Sequence, residues 1–111
     1  MNVSSVAEWL TSEFPDESWE ISIGNRRVIM LAVDTDRHGE ITTVKISYDG
    51  VKDVILANIQ FGEGDEPVPL VSISFSDYQN PLQGLEEFAH QVRLEAADML
   101  ATSQWISAIF E

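Results

Sequence analysis

PLQGLEEFAHQVRLEAADMLATSQWISAIFE, residues 81–111, decides how this chain folds. Within it Leu82, Leu85, Ala89, Val92, Ala96, Met99, Ser103, Ile106 and Phe110 recur at alternating steps of three and four, the repeat of one helix face. Phe88 and Leu100 widen that stripe to the breadth of a helix lying on a core. A straight helix from Leu82 to Phe110 would span about 43 Å at ~1.5 Å per residue, against a domain diameter of roughly 34 Å for a chain of this size. Two outcomes follow. Either Thr102 or Ser103 caps a second short helix, Gln104 to Phe110, which folds back so that Trp105, Ile106, Ile109 and Phe110 meet the core, or the helix overhangs and another subunit covers its apolar end.

The segments before it alternate with the period of strands. Trp19, Ile21 and Ile23 oppose Glu20 and Ser22, a half-buried strand. Gly24-Asn25 suits a two-residue hairpin turn. Arg27 to Asp34 is apolar on both faces, Val28, Met30 and Ala32 alternating with Ile29, Leu31 and Val33, and such a strand belongs in a covered sheet or at a subunit contact. Ile41 to Tyr48 places Val44, Ile46 and Tyr48 inward. Asp49-Gly50 signals another hairpin, leading to a fourth strand, Val51 to Phe61, whose pattern would also fit a helix. A fifth strand, Val68 to Ser76, turns Val71, Ile73 and Phe75 inward, and Pro67 and Pro69 put its start on a sheet edge. At the other end Ser5 and Glu8 have the spacing of a capping box, opening a short helix to about Glu13 with Val6, Leu10 and Phe14 on one side and Trp9 beside them. The expected fold is therefore α+β: an antiparallel five-stranded meander sheet with a short N-terminal helix and a long C-terminal helix packed on it, as one domain over residues 1–111. Effector-binding secretion chaperones are similar in being small, acidic and α+β, but they interrupt their strands with a helix that this pattern lacks.

Composition narrows the functional classes. The chain carries 19 Asp plus Glu against 6 Lys plus Arg, a net charge of −13. That field repels phosphate backbones and anionic lipid, so no direct nucleic-acid or membrane partner is expected, and a basic protein partner is. With no cysteine, disulfides and thiolate metal sites are excluded and the reducing cytoplasm is permitted. No secretory leader or apolar run of membrane-spanning length is present, so the expected location is cytoplasmic.

No catalytic constellation stands out. Asp34, Asp36, His38, Gly39 and Glu40 begin like a calcium loop, but Lys45 occupies the position where a bidentate glutamate is required, and a solvated hairpin turn is the expected reading. His38 and His90 exhaust the histidines without metal-ligand spacing. Neither has a serine partner in a nucleophile motif. Gly62-Glu63-Gly64 lacks the lysine and helix of a phosphate loop. The expectation is no enzyme, no metal and no cofactor.

The surface signal lies on the back of the final helix. Glu87, Gln91, Leu94, Asp98, Ala101 and Trp105 recur opposite the core stripe, an apolar pair ringed by acids that resembles the anchors and rim of a binding surface. The leading expectation is a small acidic interaction domain of inhibitor, immunity, adaptor or chaperone type. A small-ligand binder or enzyme with a pocket between sheet and helices, using Arg26, Arg27 or His90, is the alternative. A homodimer through strand Val28 to Val33 or the C-terminal helix is the third.

Overall fold

The computed structural model describes residues 2–100 and 102–111. Helix α1 (Val3–Glu13) is followed by strands β1 (Glu20–Ile23), β2 (Arg27–Thr35), β3 (Ile41–Asp49), β4 (Val54–Phe61) and β5 (Val68–Ser74), then by a single 3₁₀ turn and helices α2 (Pro81–Asp98) and α3 (Gln104–Ile109). The strands form one antiparallel sheet in the order β1-β2-β3-β4-β5, the meander expected from short connections. The fold is α+β.

Alternation along the strands sets the two faces of the sheet. Val28, Met30, Ala32, Val44, Ile46, Tyr48, Ile55, Ala57, Ile59, Val71 and Ile73 are buried on one face. Val6, Ala7, Leu10, Phe14, Leu85, Phe88, Ala89, Val92 and Ala96 cover them from α1 and α2. Among the described residues no polar or charged side chain is buried. All three helices lie on that side, α1 against β1 and β2 and α2 against β5, so the other face of the sheet is open.

The final segment breaks. Helix α2 starts where Asn80 accepts a hydrogen bond from the Leu82 amide, with Pro81 at the first helical position. It stops at Asp98, and the amides of Thr102 and Ser103 both donate back to the Met99 carbonyl. Ser103, in extended conformation, then caps α3 by accepting from the Ile106 amide. Helix α3 has only six residues, too few to be stable alone. It is held by the burial of Ile106, Ile109 and Phe110 and by Trp19, whose indole Nε1 donates to the Ile109 carbonyl at 2.8 Å.

Several local expectations are corrected. The cap of α1 is Asn2, whose side chain accepts from the Ser4 amide, and Ser5 lies inside the helix. The first hairpin turns on Asn25-Arg26, because the Gly24 amide donates to the Arg27 carbonyl, and neither Gly24 nor Asn25 has positive φ. The β3–β4 hairpin is a four-residue loop, Gly50 to Asp53, between the paired residues Asp49 and Val54. There Asp49 accepts from the Val51 and Lys52 amides, and Asp53 closes the loop at φ 56. Gly50 is needed for approach: its amide meets the Arg26 carbonyl at 2.7 Å, and a Cβ would lie 3.1 Å from that oxygen. Strand β1 is exposed throughout, not half-buried, since it is an edge strand at the margin of α1. Leu82 and Leu100, assigned above to the core stripe, are about half exposed, one in the first turn of α2 and the other beyond its end.

Gly84 supplies a stability test. A glycine in a helix interior is ordinarily improved by alanine by roughly 0.5–1 kcal/mol. Here the added Cβ would lie 2.7 and 2.9 Å from two atoms of the buried Phe75 ring. Overpacking of that kind costs about 1–3 kcal/mol and outweighs the backbone gain. Gly84→Ala should therefore lower stability by about 1 kcal/mol in urea unfolding, and a stabilised variant would show that the ring moves aside freely.

Candidate interaction surface

Four of the residues read from the sequence form one stripe on α2. Glu87, Gln91, Leu94 and Asp98 follow at steps of four, three and four, directly opposite the buried Leu85, Val92 and Ala96. Gln91 Nε2 donates to Glu87 Oε1 at 2.7 Å, an i,i+4 pair that fixes the amide and leaves Leu94 beside it. Leu94 is 54% exposed, as an anchor for a partner would be. The helix carries Glu86, Glu87, Glu95 and Asp98 against Arg93, so its net charge is −3 from four acids and one cation.

Trp105 does not continue the stripe. The break after Asp98 turns α3 back, and the indole is half-buried against the core margin. Ala101 lies outside the described residues. The surface is thus a single-helix stripe centred on Leu94, and Trp105 packs against the core on a second helix.

Arg93, the one cation of α2, is directed elsewhere. Its Nε donates to the Phe110 carbonyl at 2.8 Å, its other nitrogens reach the Glu13 carboxylate and the Glu13 carbonyl, and the guanidinium lies 5.0 Å from the centre of the Phe14 ring. Sequence reasoning missed this role. The available signal was a lone cation within an acidic helix.

The remaining candidates do not converge. Arg27 stands on the open face of the sheet, where with Lys45 and Lys52 it rims a shallow depression of about 250 Å³ floored by Val54 and Leu56. Arg26 lies in the β1–β2 turn, where it lines a separate hollow with Asn2, Val3 and Gly50, and His90 is exposed on α2. Asp49 lies in the same depression. Amide donors from Lys52 and Val51, followed by the charges of Lys52 and Arg27, hold its carboxyl below the usual aspartate range. Around His38, Asp36 Oδ1 accepts from the His38 and Glu40 amides, so this carboxylate closes its own turn. Among the described residues no group of three His, Asp or Glu side chains is placed to hold a metal ion. None of the described helices is long and apolar enough to cross a membrane. Compared with known proteins, the chain matches no family model, no curated protein and no solved structure.

Proposed function

We propose that this protein is a small acidic interaction domain, of inhibitor, immunity, adaptor or chaperone type, that engages a basic protein surface through the outer side of α2. The observation that carries the reading is the stripe Glu87-Gln91-Leu94-Asp98: an exposed leucine, flanked by carboxylates, on a helix whose opposite side is anchored in the core. Leu94 would fill a pocket on the partner, and Glu87 and Asp98 would meet its cations. The net charge of −13 would add long-range attraction and fast encounter. The protein acts by binding and not by catalysis, and the cytoplasm is the compartment that its cysteine-free sequence suits.

The test is affinity capture with the wild-type protein and with Glu87→Lys/Asp98→Lys, followed by measured binding of the purified partner. The expected partner is basic, and it binds the double variant at least about a hundredfold more weakly, as expected when two attractive contacts become repulsive. Leu94→Ala should cost a further factor of roughly ten or more. Binding that survives charge reversal would exclude this surface.

A further inference from the structure

The open face of the sheet has the opposite character to the rest of the molecule. Its outward strand residues include Ile29, Leu31 and Val33 along β2 and Val54 and Leu56 on β4, separated largely by serine, threonine and amide side chains. Leu31 and Val33 are 37% and 54% exposed. Of the chain's 19 acids, the outward strand positions carry Glu20 and Asp49, balanced by Arg27 and Lys45. A face whose strand positions carry no net charge, on a chain of −13, is where two copies approach with the least repulsion. Loss of charged residues toward the centre is also the mark of an interface core.

The register makes this face complementary to itself. Glu20 pairs across β1 and β2 with Leu31, and Leu31 pairs across β2 and β3 with Lys45. The row therefore reads acid, leucine, base, centred on β2. Ile29 likewise stands between Ser22 and Ser47. A two-fold axis running along β2, parallel to the sheet, exchanges β1 with β3 between copies. It lays each Ile29-Leu31-Val33 stripe on its counterpart and sets each Glu20 against the Lys45 of the other copy, twice. Serines facing serines let the sheets approach to the ~10 Å of face-to-face packing. Arg27 falls near the axis but has Asp49 beside it on the neighbouring strand.

We propose that the open sheet face is the interface of a two-fold homodimer, with the apolar stripe of β2 at its centre and reciprocal Glu20–Lys45 pairs on either side. This surface lies on the side of the sheet opposite α2, so a dimer leaves the α2 stripe free.

Sedimentation equilibrium from micromolar to millimolar protein tests it. The wild type should dimerise within that range, and Leu31→Lys should remain monomeric throughout. Glu20→Lys and Lys45→Glu should each weaken the dimer by roughly tenfold or more through paired like charges. The combined swap Glu20→Lys/Lys45→Glu should return to within about threefold of the wild type, because it restores the pairs with their signs exchanged. Leu94→Lys should leave dimerisation unchanged. Since Glu20 and Leu31 are exposed in the monomer, circular dichroism melts of the dilute variants should match the wild type; if Leu31→Lys misfolds, Leu31→Ser takes its place. A wild type monomeric at every concentration, a dimer indifferent to both Leu31 substitutions, or a double swap no better than the single reversals would each overturn the proposal. None of these results bears on partner capture by α2.

Discussion

Phe110→Ala should destabilise the protein by about 3–5 kcal/mol, the range for truncating a large aromatic in a packed core. Phe110 is 1% exposed, and its ring meets Phe14 edge-on at 5.4 Å and Trp19 at 5.5 Å between centroids. Trp9 extends the cluster through Phe14, at 6.2 Å. These rings come from α1, from the segment before β1 and from the residue that ends α3, so one truncation loosens three parts of the chain. The loss is a large share of the ~5–15 kcal/mol that holds a domain of this size. At roughly 4 °C per kcal/mol it should lower the melting temperature by about 15 °C. Phe61→Ala provides the contrast: Phe61 is 39% exposed at the end of β4, and its loss should cost about 1 kcal/mol or less. Thermal melts of the two variants should separate clearly. A Phe110→Ala protein no weaker than Phe61→Ala would mean that α3 contributes little to the fold.

The dependence on Phe110 bears on what could be read from sequence. The strands were legible because a sheet covered on one side imposes period-two burial, visible in Val44-Ile46-Tyr48 and in Val71-Ile73, although Phe75, expected to extend β5, is buried from the 3₁₀ turn that follows it. Even the ambiguous segment after Asp49 resolves as a strand from Val54, whose inward Ile55, Ala57 and Ile59 alternate cleanly. Turn chemistry was less legible. Asp49-Gly50 has the composition of a tight hairpin, but here the carboxylate caps a four-residue loop and the glycine admits the Arg26 carbonyl from another hairpin, a tertiary reason with no local trace. The α2 stripe was readable because four of its members share one continuous helix. Trp105 was not, because the reversal after Asp98 changes which way it faces. The acid–leucine–base row of Glu20, Leu31 and Lys45 spans three strands and exists only once their registers are known.

Arg93→Ala should cost about 2 kcal/mol, and roughly three quarters of that should persist at high salt. The side chains of Arg93 and Glu13 are 38% and 33% exposed, so their ion pair is screened by solvent and accounts for only about 0.5 kcal/mol. The larger part comes from two carbonyls. Glu13 ends α1 and Phe110 caps the end of α3, and helix ends leave such oxygens without partners. A single guanidinium satisfies both, at the negative ends of two helix dipoles, with its plane packed near the Phe14 ring. Lysine cannot reproduce the planar fork, so Arg93→Lys should recover less than half of the loss. Glu13→Ala keeps the carbonyl and should cost only about 0.5 kcal/mol. Urea unfolding of the three variants at low and high salt separates the contributions. If Glu13→Ala matched Arg93→Ala, the ion pair and not the carbonyl clamp would be holding α3 in place. On the clamp reading, the one cation of α2 is committed to joining the helices, and that commitment leaves the Leu94 stripe bordered by acids alone.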